Sequence, residues 1–397
     1  MITRDRAWAK HTPSARMIEG VLREFALGQP RLERLNRYAQ GRHDVLLRVK
    51  PEGLPNFRMP HAFGRYIAQM TAGFLVSQPV TYHSGKQESL TDFTRLLNAM
   101  DADAADVELA MDQAVFGRAV SLCFVSEDGP RVAALDPRSA LVVYDDTVAH
   151  APLFGVTITP RNDELGQVRG SDVTAYTARH ILTYAGTPGG VSALTQVAEH
   201  GFARVPMVEY LDDEHARGDF EDVMPLMDAY DALESDRMND RAQFADALLV
   251  LTGVMGIGTP ENPTDFRSGM QRLRQDKTLS LPDSDARADW LVKTPLENDI
   301  DVLRNAIAAD IHKFSMTPDF GDERFAGNVS GVAIQYKLFC LEQKMRIKER
   351  WFVRGLRERV RVLATWMAQH GMHAPDVRDL RIELTRALPD QSNQNPQ

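Results

Sequence analysis

Few residues in this 397-residue chain combine a chemistry-bearing type with a useful spacing. His370 and His373, three apart, could share a metal, but they flank Gly371 at the close of a helical run, where a frayed end is the simpler reading. Asp145-Asp146 and Asp212-Asp213-Glu214 supply adjacent carboxylates, hard donors that suit Mg²⁺ or Ca²⁺. The same types serve as turn residues, and that reading is favoured. Gly253-Val254-Met255-Gly256-Ile257-Gly258 lacks the lysine and the following helix of a phosphate loop, and neither His-Glu-x-x-His nor Gly-x-Ser-x-Gly occurs. Cys123 and Cys340 are too few for a disulfide framework or a cysteine zinc site; both are expected to be reduced and buried, which fits an intracellular origin. Asn328-Val329-Ser330 matches a glycosylation sequon, but without a secretory signal Asn328 or Ser330 reads as the cap of the helix that follows. These residues predict a protein with no catalytic centre, no metal and no cofactor.

Charge is more informative. Lys plus Arg number 46 and Asp plus Glu 55, a net charge of −9, so no global attraction draws the chain to nucleic acid or an anionic membrane. No run of 18 apolar residues occurs, and Met1-Ile2-Thr3-Arg4-Asp5-Arg6-Ala7 has no apolar core behind its charges, so neither a membrane span nor a signal peptide is expected. Between Glu221 and Asp246 eight acidic residues accompany two basic ones; between Lys337 and Arg361 nine basic residues accompany three acidic ones. One acidic and one basic helix suit charge-complementary packing, within a chain or between neighbouring subunits.

The elements that must position these charges follow from periodicity. With 43% hydrophobic residues the chain can bury a core, and its length implies two or three packed units. Apolar residues at three- and four-residue steps predict helices over 14–42, broken at Gly28 and Pro30 and read as an outer arm, then over 63–77 and 101–116, the last stopped by Gly117. From Arg118 to Val208 short β-rich runs (119–125, 132–135, 141–144, 154–159, 180–184) predict an antiparallel sheet packed on the preceding helices. A helical run over 220–251 follows, then a small module with β-like pieces near 248–251, 278–281 and 290–292. Helices are expected again over 299–314 and from 333 to about 370, the latter roughly 57 Å long at 1.5 Å per residue. Residues 380–385 read as a last strand, and 390–397 as a disordered tail.

Several segments together resemble the portal proteins of tailed bacteriophages, the siphophage portal family. They are Arg37-Tyr38-Ala39-Gln40-Gly41-Arg42-His43, Tyr66-Ile67 with Gly73-Phe74-Leu75 and Pro79-Val80-Thr81-Tyr82, and Phe116-Gly117-Arg118-Ala119 with Leu135-Asp136-Pro137-Arg138 and Val143-Tyr144-Asp145-Asp146. Val205-Pro206-Met207-Val208-Glu209-Tyr210 follows, then Gly218-Asp219-Phe220-Glu221-Asp222-Val223, Leu226-Met227-Asp228-Ala229-Tyr230, Ser235-Asp236, Asn239-Asp240 and Ser330-Gly331-Val332-Ala333. The order and spacing across roughly 37–365 carry the likeness.

The resemblance implies an α+β, mainly helical portal fold with long stem and wing helices, an antiparallel wing sheet and a small α/β clip. It divides the chain into an N-terminal arm and wing (1–222), a first stem helix (223–247), the clip (248–297), a second stem helix (298–316), a tunnel loop (317–329), a long wing helix (330–371) and a short C-terminal strand with a disordered tail (372–397), a reduced crown. It further implies a homo-oligomeric ring, usually a dodecamer, at one capsid vertex of the virion, formed in the host cytoplasm. Double-stranded DNA passes non-specifically through its channel, and the partners are the terminase large subunit, head-completion or adaptor proteins, and the major capsid and scaffold proteins, with no membrane. On this reading Asp228, Asp231, Glu234 and Asp236 line the channel. Asp319, Asp322, Glu323, Arg324 and Asn328 belong to the tunnel loop, and Arg267, Arg272 and Arg274 of the clip dock partners.

Twelve helices about 10 Å wide, side by side, enclose a bore of roughly 28 Å, room for a duplex about 20 Å across. Acidic walls would repel phosphates and let DNA slide, whereas a basic wall would gain counterion release at each contact and stall it. The rival readings are a metal-dependent nuclease of a mobile element and a monomeric helical adaptor.

Overall fold

The computed structural model describes residues 1–86, 88–187, 190–244, 248–252, 287–291, 297–320 and 331–386. The fold is α+β and divides into two compact units, one formed by 1–43, 60–227 and 309–397, the other by 44–59 and 228–308.

In the larger unit, α1 (Ala15–Ala26) starts at Ser14, whose hydroxyl accepts the Met17 N–H at 3.2 Å, and α2 (Gln29–Ala39) starts with Pro30 in its first turn. The apolar face of α1 is no outer arm. Ile18, Val21 and Phe25 are buried with Val143, Phe154, Val156 and Leu182 of a six-stranded sheet, because their spacing places all three on one side of the helix. That sheet runs β1 (Ile2–Arg4), β5 (Ala140–Asp145), β6 (Pro152–Asn162), β7 (Val168–Tyr176), β8 (His180–Thr187), β9 (Gly190–Glu199), antiparallel throughout except where β1 joins β5 in parallel. A second sheet, β10 (Met207–Leu211), β3 (Arg118–Ser126), β4 (Gly129–Leu135), shares with the first a cluster of Val120, Leu122, Val142 and Met207. The expected single sheet of hairpins is therefore two sheets.

Helices α3 (Phe63–Leu75), α4 (Thr91–Ala99) and α5 (Ala102–Phe116) complete the support, with β2 (Thr81–Ser84) paired to β13 (Leu380–Glu383). Gly117 ends α5 at φ 76°, and a Cβ there would lie 2.1 Å from the Ala216 carbonyl oxygen, so both conformation and space demand glycine.

Two helices run on from this unit. These are α6 (Met224–Phe244) and α7 (Glu297–Ser315), and between them in sequence lies the antiparallel pair β11 (Leu248–Thr252) and β12 (Arg287–Leu291). The expected piece at 278–281 and the glycine cluster at 253–258 lie outside the described residues.

Helix α8 (Gly331–Gln369) is continuous over 39 residues, about 58 Å. Leu341, Met345, Phe352, Leu356, Val360 and Leu363 form its buried stripe, and Gly355 admits the Tyr210 ring so closely that a Cβ would sit 2.3 Å from it. Cys123 is buried, its thiol pushed up to about 12 by burial; Cys340, expected to be buried, is exposed on α8.

Candidate functional site

The predicted basic helix spends several of its charges inside the larger unit. Lys344 and Lys348, one turn apart on α8, converge on Asp219, five residues before α6. Lys348 Nζ is 2.6 Å from Asp219 Oδ2 and 2.7 Å from Asp212 Oδ1. Lys344 Nζ is 2.9 Å from Asp219 Oδ1 and donates to the Ser315 carbonyl, the last residue of α7, at 3.0 Å. The Thr71 hydroxyl of α3 donates to Asp219 Oδ2 at 2.6 Å.

Burial opposes ionisation of Asp219, but the two lysines outweigh it and hold this carboxyl well below the usual range. Asp212 is pushed up to about 7 by burial and by the charge of Asp219, which Lys348 and Lys344 together do not offset. The Lys344 ammonium also lies where the macrodipole of α7 is negative, so one side chain fastens the sequence root of α6 to the end of α7.

The end of α7 is closed with unusual care. Met316 takes φ 57°, its N–H bonds the Lys313 carbonyl at 3.2 Å, and the Thr317 N–H reaches back to the His312 carbonyl at 3.1 Å, a Schellman cap with methionine where glycine is customary. The His312 ring packs edge-on against Phe63 at 5.9 Å and Tyr66 at 5.7 Å. Tyr66 Oη donates to the Pro318 carbonyl at 2.7 Å and accepts the Phe320 N–H at 3.4 Å. The first residues of the expected tunnel loop are thereby pinned, with Asp319 exposed 3.9 Å from His312. Asp322, Glu323, Arg324 and Asn328 lie outside the described residues, as do Arg267, Arg272 and Arg274.

A second buried charge pair clamps α8 to α5. Arg359 donates to both oxygens of Asp106 at 2.5 and 3.0 Å and to Tyr82 Oη at 3.3 Å.

In the smaller unit the acids of α6 are not bare. Asp231 is 0% exposed, so its carboxyl offers no surface to a channel in this protomer. It sits at four-residue steps from Ser235 and Asn239, the buried polar face of α6. Asn239 accepts the Phe57 N–H at 2.6 Å and donates to its carbonyl at 3.3 Å, and Ser235 accepts the Met59 N–H at 3.0 Å. Burial pushes Asp236 up, but Arg48 at 2.7 Å and Lys50 at 3.4 Å hold it below the usual carboxylate range. Glu234 lies 3.7 Å from Arg237 and 3.9 Å from Arg304, and both arginines reach Asp301 of α7, at 3.0 and 3.5 Å. Asp228 is half-buried.

Of the carboxylates considered for cations, Asp212 is spent on Lys348, and Asp145 and Asp213 serve turns. Asp145 accepts the Thr147 and Ala151 N–H groups and Asp213 those of His215 and Arg217, while His370 stacks on Trp366 at 4.0 Å. Among the described residues no group of three or more His, Cys, Asp or Glu is placed to hold a metal ion, and no helix is long and apolar enough to cross a membrane.

The family model described as "Phage portal protein, SPP1 Gp6-like" matches residues 21–395, nearly the whole chain. The chain belongs to that portal family. A portal protein of Bacillus phage SPP1 is 24% identical over 317 residues, covering 76% of this chain and 61% of that protein's length. In this portal-family chain, several residues of the likeness now have structural work: Asp219 receives two lysines, Tyr66 pins 318–320, and Ser235 and Asn239 hold the 57–59 backbone.

Sequence reasoning missed Lys344, Lys348, Arg359 and Asp106 as positioning residues. A signal existed, since Lys348 and Arg359 interrupt the apolar stripe of α8 at three- and four-residue steps from Met345, Phe352, Leu356 and Leu363. A charge on a buried face requires a buried partner.

Proposed function

We propose that this chain is the subunit of a closed ring at one capsid vertex, a conduit for double-stranded DNA during packaging and ejection that makes and breaks no covalent bonds. The observation that carries the reading is the family match over residues 21–395. The joint at Asp219, Lys344 and Ser315 supports it, because a tube through which a stiff polymer is driven needs its long helices fixed firmly at their roots.

In this reading residues 1–222 form the N-terminal arm and wing, joined by the long wing helix over 330–371; 223–247 and 298–316, which contain most of α6 and α7, form the stem, 248–297 the clip, 317–329 the tunnel loop and 372–397 a reduced crown. Asp228, Glu234 and Asp236 of α6 face passing DNA, joined at the loop by Asp319, Asp322, Glu323, Arg324 and Asn328. Asp231 is withdrawn because it is buried. The Arg48, Lys50, Arg237 and Arg304 partners make this a wall of internally satisfied charge, which offers phosphates neither a strong hold nor strong repulsion. Arg267, Arg272 and Arg274 of the clip serve the terminase large subunit and head-completion proteins, and the wing serves the major capsid and scaffold proteins. Assembly takes place in the host cytoplasm.

Native mass spectrometry of purified protein tests the reading. A single species at a whole multiple of the chain mass, near twelve, is expected; monomers and dimers under all conditions, with or without scaffold protein, would refute it. Glu234→Gln with Asp236→Asn should alter packaging without preventing assembly, and unchanged packaging would remove the charged-wall argument alone.

A further inference from the structure

Helix α8 carries a second row of charge on the side away from its buried stripe. At 100° per residue, Arg346, Arg350, Arg354, Arg357 and Arg361 fall within about 40° of one line, which spans roughly 22 Å and continues through Phe339. All five arginines are exposed, and Phe339 is 56% exposed. Among the described residues Arg346 and Arg361 pair only with glutamates of the same helix, Glu342 and Glu358, and Arg354 lies over the Trp351 ring. Arg350 and Arg357 make no ion pair among the described residues. Arg386 further occupies Glu342 and Glu349, so the acids of α8 are already engaged.

The same unit holds a surface of opposite character. Between α5 and the β3–β4 hairpin lies an open groove of about 520 Å³, floored by Ala104, Ala105, Val132 and Ala134, with Phe124 38% exposed; Asp101, Glu108 and Asp128 line it against one cation, Arg131, which reaches Asp128 at 3.6 Å, so the groove keeps a negative balance. Asp106, which faces α8, lies on the other side of α5, since residues 104 and 108 are each 200° from it. The arginine row and the groove therefore occupy different surfaces of the unit, and neither neutralises the other.

We propose that the arginine row of α8 docks into the acidic groove between α5 and the β3–β4 hairpin of a second copy of this chain. The inference rests on the ring reading and names the surfaces that would close it. Joining one face to a different face is the head-to-tail contact from which rings are built, whereas a two-fold dimer would need one self-complementary patch. The alanines and Phe124 of the groove take the aliphatic stems of the arginines while opposite charges set register. Duplex DNA is the rival occupant for the arginines, but phosphate attraction would leave the groove without a role.

Two charge-reversed proteins provide the test, Arg350→Glu/Arg357→Glu and Glu108→Arg/Asp128→Arg, with far-UV circular dichroism to confirm folding and native mass spectrometry to read assembly. Each alone should raise the concentration for half-assembly about tenfold or more, through like-charge contact at every junction. An equimolar mixture should assemble again, with the two proteins strictly alternating and an even subunit number. The protein carrying all four changes should also assemble, which guards against misfolding as the cause.

If the unaltered protein forms rings and either variant assembles as well as it does, or the mixture fails, this interface is wrong and the ring reading survives. A first variant that assembles normally but loses duplex binding would give the row to DNA. If the unaltered protein never assembles, the ring reading and this interface fall together.

Discussion

Replacing Lys348 with methionine isolates the joint that holds the roots of α6 and α7. Its ammonium lies within 2.7 Å of two carboxylates, its side chain is 2% exposed, and Asp219 opposite it is fully enclosed. Methionine keeps most of the volume and burial, so the loss is electrostatic. Removing one partner of a buried ion pair costs about 3–5 kcal/mol because the remaining charge has no solvent. Lys344 and Thr71 still serve Asp219, which places the expected value near the lower end, about 3 kcal/mol at pH 8.

The deficit depends on pH. Asp212 is already raised to about 7, and without Lys348 it rises further, so the folded variant holds a proton over a pH range in which the unfolded chain has released it. Stability held through a raised carboxyl pKa is present at low pH and lost as pH rises. The difference from the unaltered protein should therefore be smaller at pH 5.5 than at pH 8, by about 1–2 kcal/mol. Urea unfolding followed by tryptophan fluorescence at both pH values measures this, and Lys348→Met/Asp212→Leu should recover at least half the loss. A deficit below about 1 kcal/mol, or one equal at both pH values, would refute the reasoning.

Arg359→Met should cost about 3–5 kcal/mol in urea unfolding by stranding Asp106, whereas Arg359→Met/Asp106→Leu should cost much less, and equal losses would show that the pair is not the cause. Asp112 is raised to about 7 by burial, helped by Asp136 and Glu108, so it makes stability fall as pH rises from about 4 to 7. Asp112→Asn should flatten that slope and leave the variant about 2 kcal/mol the more stable at pH 8, and an unchanged slope in urea titrations would count against it. Met316→Gly should stabilise the protein by about 0.5–1 kcal/mol, because glycine reaches φ 57° without strain, and a measured loss would mean that the methionine side chain has a role of its own.

Much of the framework was legible because it rests on local physics. The breaks at Gly28 and Pro30, the stop at Gly117 and the length of α8 follow from backbone chemistry and apolar spacing, and the structure places them within a residue or two of expectation. Strands β7 and β9 escaped because they expose much of their surface at one side of the sheet, so their sequences lack the apolar alternation of a half-buried strand. Strand β1, three residues long, exists only through its pairing with β5. Helix α4 is too short to show a periodicity, and Met316 carries no cap signal because that position is ordinarily glycine.

The site was half legible. The acidic run on α6 and the basic run on α8 were visible as charge, but burial decides their meaning. Asp231 lies inside while Asp236 meets Arg48 and Lys50, contributed from nearly 190 residues upstream. Net charge along a helix counts side chains without saying which are already neutralised. The two lysines that secure the stem roots were likewise hidden among nine basic residues.

Electron microscopy of purified, assembled protein tests the central claim most directly. End-on images should show a closed ring of identical subunits around a hole wide enough for a duplex, about 20 Å or more. Solid particles, open chains of subunits, or single copies under every condition that permits assembly would contradict it.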